Sequence, residues 1–78
     1  MEREYSKQAE KFLNTQSDST YDRIKVAIAK LPQGDITKLK GFKDKYRLRV
    51  GDYRIIFRRT SNIIYIELID TRGQIYKR

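Results

Sequence analysis

The chain has 78 residues, the length of one small domain, and it contains neither cysteine nor histidine. A disulfide, a thiolate nucleophile and an ordinary zinc site are thereby excluded, and with no carboxylate cluster in the sequence we expect no metal and no cofactor. No apolar run approaches the roughly 20 residues of a membrane-spanning helix, and the charged opening residues lack the apolar core of a signal peptide. We therefore expect a single cytoplasmic domain over residues 1–78, without membrane contact.

The net charge of +8 lies entirely in the second half of the chain. Residues 1–37 carry six basic and six acidic side chains, whereas residues 38–78 carry twelve basic and four acidic ones. Such asymmetry indicates an anionic partner, either nucleic acid or an acidic protein surface. A generally solubilising surface is the alternative explanation of the same charge.

The first half of the chain shows helical periodicity. Apolar residues repeat at three- and four-residue spacings in two groups, Ala9, Phe12 and Leu13, then Tyr21, Ile24, Ile28 and Leu31. The polar segment 14–19 separates the two groups, and Pro32 and Gly34 end the second. These features predict an N-terminal helical hairpin.

The second half shows strand periodicity. Residues 45–50 and 53–58 alternate around a Gly51-Asp52 turn, residues 63–69 form an apolar run, and segments 74–77 and 2–5 are candidate short strands. We predict an α+β fold in which the helical hairpin packs on one face of a small antiparallel β-sheet. The alternation directs one set of basic side chains to the opposite face: Lys45, Arg47, Arg49, Arg54 and Arg58.

Arginines on that opposite face form the candidate site. Arg47, Arg49 and Arg54 lie on neighbouring strands about 4.8 Å apart, and close like charges are costly unless an anion binds between them. A guanidinium binds phosphate with two parallel hydrogen bonds. Arg72 and Tyr76 are further candidates, since a phenol can stack on a base, donate a hydrogen bond or transfer a proton. A solvated strand face, with Tyr76 packed at the sheet edge, is the structural alternative.

Three segments of this sequence resemble the RelE/ParE toxins. They are Leu39-Lys40-Gly41 continuing to Tyr46-Arg47-Leu48-Arg49-Val50-Gly51-Asp52-Tyr53-Arg54-Ile55-Ile56-Phe57, the ending from Ile69 to Lys77, and the opening helix from Tyr5 to Leu13. The resemblance covers nearly the whole chain and implies a small α+β domain. It identifies the superfamily more specifically than it identifies an activity within it.

The resemblance to RelE-like members implies the toxin of a type II toxin–antitoxin system. Those members are metal-independent, ribosome-dependent mRNA endonucleases that inhibit translation, and the 2′-hydroxyl of the RNA attacks the adjacent phosphate. The implied partners are a cognate antitoxin, the ribosome and mRNA, with operator DNA bound only through the antitoxin complex. ParE-like members share the fold but inhibit DNA gyrase by protein binding, and a relic without toxicity is a third reading.

Site residues follow from the resemblance one position at a time. It implies that Arg54 holds the scissile phosphate, that Arg72 stabilises the phosphorane, and that Tyr76 acts as base and stacking platform. Arg47 and Arg49 match two basic positions on the long strand. This set favours the nuclease branch over the gyrase branch. Further basic residues are expected to extend the RNA-binding surface: Lys43, Lys45, Arg58 and Lys77.

Some nucleases of this family carry lysines at the positions of Arg47 and Arg49. Lysine can protonate a leaving oxygen, whereas arginine stays charged at physiological pH. Arg49 would then act by electrostatic stabilisation. The acid for the leaving group is left open between Lys45 and groups of the ribosome.

Overall fold

The computed structural model describes residues 1–77 as a five-stranded sheet with helices on both sides. The elements in chain order are β1 (Glu2–Tyr5), α1 (Lys7–Asn14), α2 (Asp18–Ala29), β2 (Ile36–Lys38), β3 (Lys45–Val50), β4 (Tyr53–Arg59), β5 (Ile63–Thr71) and α3 (Arg72–Ile75). The predicted α+β class is therefore correct. Among residues 1–77, no helix is both long and apolar enough to cross a membrane.

The sheet is mixed, with the strand order β1-β5-β4-β3-β2. Strands β2 to β5 pair antiparallel with their neighbours, but β1 runs parallel to β5, with Glu2 opposite Ile63 and Tyr5 opposite Ile66. The predicted antiparallel sheet is wrong in this respect. Local alternation can indicate that residues 2–5 are extended, but their direction depends on a partner strand some sixty positions further along the chain.

The two N-terminal helices do not form the predicted hairpin. The joint between them is shorter than the predicted break, because α1 ends at Asn14 and Ser17 caps α2 by accepting from the Thr20 N–H at 3.3 Å. Helix α1 packs against β5 and β1, whereas α2 packs against β3. The apolar stripes of both helices were recognised, but each stripe is buried on the sheet instead of on the other helix.

The main hydrophobic core lies between the helices and one face of the sheet. The apolar residues that alternate with the basic ones on β3 and β4 face this core: Leu48, Val50, Ile55 and Phe57 are buried, and Tyr46 and Tyr53 pack against them partly buried. The other core residues come from the helices, the segment after α2 and β5: Ala9, Leu13, Ile24, Ile28, Leu31, Ile64, Ile66 and Ile69. The basic residues between the inward-facing positions must therefore project from the opposite face.

The predicted final strand over residues 74–77 is wrong, because the chain forms a single helical turn there. Thr71 begins this turn as its N-cap, and its hydroxyl oxygen accepts from the Gln74 N–H at 3.3 Å. Ile75 is buried, although it lies outside the main core cluster. A local side-chain cap and the burial of one isoleucine therefore outweigh the strand preference of Ile75 and Tyr76.

Candidate anion-binding site

A cavity of about 620 Å³ lies at one end of the sheet, on the face opposite α1 and α2. It is lined by Asp35, Thr37, Arg47, Arg49, Arg54, Arg72, Gly73 and Tyr76. The structure thus brings together the five residues that the sequence analysis placed at the centre of the site. Four guanidinium groups around one cavity, with Asp35 as the carboxylate among the lining residues, produce a strongly positive local potential.

The β3–β4 hairpin places two of these arginines side by side. Gly51 turns the chain with a φ of +57°, in the left-handed region that favours glycine. The resulting register sets Arg49 directly opposite Arg54. Directly opposite residues project from the same face with Cβ atoms about 5 Å apart, so both side chains reach the cavity.

Arg54 is buried, with only 8% of its surface exposed. Its Nη1 donates to the carbonyl oxygens of Gly51 at 2.8 Å and Tyr53 at 2.9 Å, which fixes the guanidinium against the hairpin turn. Asp70, which is also buried, lies directly opposite Arg54 on the neighbouring strand β5. The sequence analysis anticipated the face of Arg54 but not its burial. A fixed cation of this kind is preorganised for an anion in the cavity.

Arg49 is held differently from Arg54. Its Nε lies 2.6 Å from Oδ2 of Asp35, and both side chains are more than half exposed, at 62% and 53%. Because an exposed ion pair is weak and easily exchanged, a phosphate can displace Asp35 from Arg49. The site therefore combines one immobile guanidinium with one that an anionic ligand can recruit.

Arg47 and Tyr76 contact each other across the cavity. Arg47 Nη1 donates to the Tyr76 hydroxyl oxygen at 2.5 Å, and the guanidinium carbon lies 5.9 Å from the centre of the tyrosine ring. The Tyr76 ring is otherwise 63% exposed. The phenol is thus oriented by one arginine while most of its surface stays accessible.

The short helix α3 brings Arg72 close to Tyr76. Residues four apart lie about 6 Å from each other on a helix, whereas in a fully extended chain they would be separated by roughly 13 Å. Both residues line the cavity as a result. The Arg72 N–H donates to the Asp52 carbonyl at 2.7 Å, which anchors the start of α3 to the β3–β4 turn.

Two further predicted RNA-binding residues lie on the same face but outside the cavity lining. Lys45 Nζ lies 3.1 Å from Glu67, and Arg58 contacts both Glu67 at 3.3 Å and Asp44 at 3.7 Å. Glu67 reaches them from a β-bulge in β5, where the register shifts between the Ile56 and Phe57 pairs. These two cations are therefore already paired with carboxylates. Lys43 and Lys77 are exposed.

Within residues 1–77, no group of three or more His, Cys, Asp or Glu side chains is arranged to hold a metal ion. The polar groups around the cavity are mainly hydrogen-bond donors: four guanidinium groups, a phenol and the Thr37 hydroxyl. Such a set binds an anion with several oxygen atoms, and phosphate fits it in charge and in hydrogen-bonding geometry.

The fold is shared with chains of solved toxin–antitoxin complexes. The RelB–RelE antitoxin–toxin complex from Methanococcus jannaschii contains a chain with 28% identity and a TM-score of 0.78, and the alignment covers 95% of each chain. The archaeal RelE–RelB complex from Pyrococcus horikoshii gives 28% identity and a TM-score of 0.74, covering 94% of this chain and 96% of the other. These solved structures support the resemblance to the RelE/ParE toxin superfamily. No family model and no curated protein matches its sequence.

A more distant likeness concerns the fold alone. A chain of the intact Escherichia coli RelBE complex has 18% identity to this protein and a TM-score of 0.68, with 90% of this chain and 94% of the other covered.

Besides Gly73, two residues that line the cavity with their side chains were not predicted from the sequence. Asp35 and Thr37 reach the cavity from β2 and the residue before it. Strand β2 has three residues, Ile36–Lys38, which is too short for a period-two pattern to be visible. Its position at the sheet edge follows from pairing with β3, where Thr37 lies opposite Arg47.

Proposed function

We propose that this chain is the toxin of a type II toxin–antitoxin system and that it cuts ribosome-bound mRNA without a metal ion. The observation that carries the proposal is the convergence of four arginines and one tyrosine on a single cavity. Cleavage by an internal 2′-hydroxyl needs a cationic site for the phosphate and a group that handles the hydroxyl proton. The cavity offers both kinds of group.

The arginines would stabilise the charge that develops on phosphorus. The 2′-oxygen forms a bond to phosphorus and the bond to the 5′-oxygen breaks, leaving a 2′,3′-cyclic phosphate and a 5′-hydroxyl. Arg54 is already fixed by two carbonyls, so little reorganisation is needed when the pentacovalent phosphorane forms. Arg72 approaches from α3, and Arg47 and Arg49 bind the flanking backbone.

Tyr76 is the group proposed to orient or deprotonate the 2′-hydroxyl. Arg47 holds its oxygen at the cavity, and its exposed ring can stack on a base beside the scissile bond. Lys45 is a poor choice for the acid that protonates the leaving oxygen, because it pairs with Glu67 and does not line the cavity. Water or a ribosomal group is the better source of that proton.

The decisive experiment follows mRNA integrity in cells within minutes of inducing the chain. Arg72→Ala and Tyr76→Phe are the informative variants because both side chains are exposed, so neither change should disturb folding. We expect cleavage inside translated reading frames with the unmodified chain, and a loss of at least 100-fold with Arg72→Ala, typical for removal of a group that stabilises transition-state charge. Tyr76→Phe keeps the aromatic ring and removes the hydroxyl, so it tests whether cleavage needs the hydroxyl in addition to stacking by the ring.

Arg59→Ala provides the matched control, since it removes an exposed arginine of β4 that does not line the cavity. It should cleave as the unmodified chain does. Intact mRNA combined with arrested growth would contradict the nuclease and favour a ParE-like attack on gyrase. Normal growth without antitoxin would contradict a toxin of either kind.

A cognate antitoxin is the proposed protein partner. The solved neighbours are toxin–antitoxin complexes, and this chain has a basic face that an acidic segment would complement. Such a segment would compete with RNA for Arg49, Arg72 and their neighbours. Co-expression with an acidic or amphipathic partner that binds this face should restore growth, whereas a tight partner that is basic and avoids the face would contradict the proposal.

A further inference from the structure

Phe42 projects an aromatic ring from the loop between β2 and β3, and 48% of the residue is exposed. Gly41 turns the chain immediately before it with a φ of +84°. The Lys45 ammonium lies 4.5 Å from the ring centre and also 3.1 Å from Glu67. Lys45 is therefore held between the ring and the carboxylate, and the ring is fixed beside the face that carries the cavity.

The sequence around this ring is strongly basic. Lys38, Lys40 and Lys43 are all exposed, and none of them forms a salt bridge within residues 1–77. One exposed phenylalanine is ordinary on a protein surface. A flat aromatic face that has the unpaired Lys40 and Lys43 as its neighbours along the chain is more informative, because the ring can stack on an unpaired base while such cations bind the flanking phosphates.

A protein helix is a less suitable ligand for the same place. An amphipathic helix binds through several apolar anchors in a groove. The other large apolar residues that are exposed within residues 1–77 belong to other elements: Met1, Tyr21, Val26 and Tyr76. Phe42 therefore stands without an apolar patch around it, whereas stacking on a base requires only one ring.

Strand β3 links the ring to the cavity on one face of the sheet. Lys45 contacts the ring, Arg49 lines the cavity, and Arg47 lies between them. Four residues of strand span roughly 13 Å, a distance that a few nucleotides of single-stranded RNA can cover. Arg47 and Arg49 therefore extend a cationic surface from the Phe42 ring, which the paired Lys45 contacts, to the cavity, where Arg47 contacts Tyr76.

We propose that Phe42 is a base-stacking platform that binds a nucleotide a few positions away from the one in the cavity. The inference rests on the proposed RNA-binding function and adds a second subsite to it. Stacking is tolerant of base identity, so this subsite contributes affinity and register with little sequence preference.

The test measures binding of a short single-stranded RNA made entirely of 2′-O-methyl nucleotides, which lacks the attacking hydroxyl. A single 2-aminopurine is moved along the oligonucleotide, and its fluorescence reports stacking. For Phe42→Leu we expect affinity to fall roughly 5- to 150-fold, the loss of one base–aromatic stack, together with loss of quenching at one position. Phe42→Tyr keeps the aromatic face and should bind within twofold of the unmodified chain.

Salt dependence separates stacking from charge. Phe42→Leu should leave the slope of log affinity against log salt unchanged, whereas Lys43→Ala should make that slope shallower by about one phosphate contact. Tyr21→Leu is the matched control, since it removes a partly exposed aromatic ring from α2, on the other side of the sheet, and should have no effect.

Two results would overturn the inference, and they differ in what they imply for the proposed function. If Phe42→Leu binds RNA normally while Arg72→Ala binds weakly, the platform is wrong and the RNA site stands. If neither change alters RNA binding, both proposals fail. A loss of antitoxin binding with normal RNA binding in Phe42→Leu would make the ring a protein contact and also overturn the platform.

Discussion

At the scale of single residues, two arginines that face each other across a hairpin have different physical states. Arg54 is buried and bonded to main-chain carbonyls, while Arg49 is exposed and paired with Asp35. The first is a permanent part of the site, and the second is shared between a carboxylate and any bound anion. The affinity of the cavity for phosphate should therefore depend on Asp35.

Replacing Asp35 with asparagine should strengthen RNA binding. The substitution removes the carboxylate that competes with phosphate for Arg49, and exposed pairs of this kind are worth only about 0.2–1 kcal/mol, so we expect a gain of roughly 1.5- to 5-fold. The measurement is a titration of uncleavable RNA at fixed salt. Glu10→Gln makes the same change in charge on α1 and is the control, and an equal gain from both variants would assign the effect to net charge alone.

The residue types of the site could be predicted from the sequence, but not their surroundings. Alternation around Gly51 sufficed to place Arg47, Arg49 and Arg54 on one face. Burial of Arg54 and the pairing of Arg49 with Asp35 depend on contacts from the turn and from a strand too short to recognise. Periodicity predicts which face of the sheet a side chain occupies, but it does not predict which groups from other elements contact that side chain.

At the scale of elements, an arginine from the first strand caps the second helix. Arg3 donates to the carbonyl oxygens of Ile28 at 2.9 Å, Ala29 at 2.9 Å and Leu31 at 2.7 Å. Helix α2 has no basic residue in its own last turn, so Arg3 supplies the positive charge that the carbonyl end of a helix favours. This contact joins the edge strand to the helix layer.

Arg3→Ala should lower the free energy of unfolding by about 1.5–3 kcal/mol, because three carbonyls lose a charged hydrogen-bond donor. Urea denaturation would show a lower midpoint with an unchanged slope. Lys30→Ala removes an exposed cation at the C-cap of the same helix and should change stability by less than about 0.5 kcal/mol. Equal losses in the two variants would mean that only the charge, and not the bonding geometry, matters.

The helices and strands of six or more residues could be predicted from their hydrophobic periodicity. Both amphipathic helices and the three long strands were recognised, while the direction of β1 and the nature of α3 were not. Strand β1 has four residues and α3 has four, so neither contains enough repeats to reveal its partner or its period. In α3 the Thr71 cap and the burial of Ile75 together favour a helical turn.

At the scale of the whole molecule, the fold separates a neutral layer from a basic one. Helices α1 and α2 come from the half of the chain without net charge, and strands β3 to β5 with α3 come from the half that carries the excess. Strand β1 belongs to the neutral half but covers one edge of the sheet, where β5 contributes Ile63, Ile64 and Ile66. Without β1 this edge would offer unpaired backbone groups beside apolar side chains.

Deleting residues 1–5 should therefore cause self-association. The exposed edge of β5 can pair with a second copy, so we expect the shortened chain to elute as oligomers or to aggregate in size-exclusion chromatography with light scattering. Arg3→Ala, which keeps the strand, is the control and should elute as the unmodified chain does. A shortened chain that elutes at its monomer mass would show that β1 does not protect the edge.

The pairing of β1 with β5 also imposes an order of events during synthesis. Strand β1 is made first, yet its partner is made last among the strands, and Arg72 and Tyr76 follow that partner. A nascent chain that ends before β5 leaves β1 unpaired, and one that ends before Arg72 lacks three of the eight residues that line the cavity. The cavity is therefore complete only after β5 and α3 have been made, and until then β1 has no partner strand.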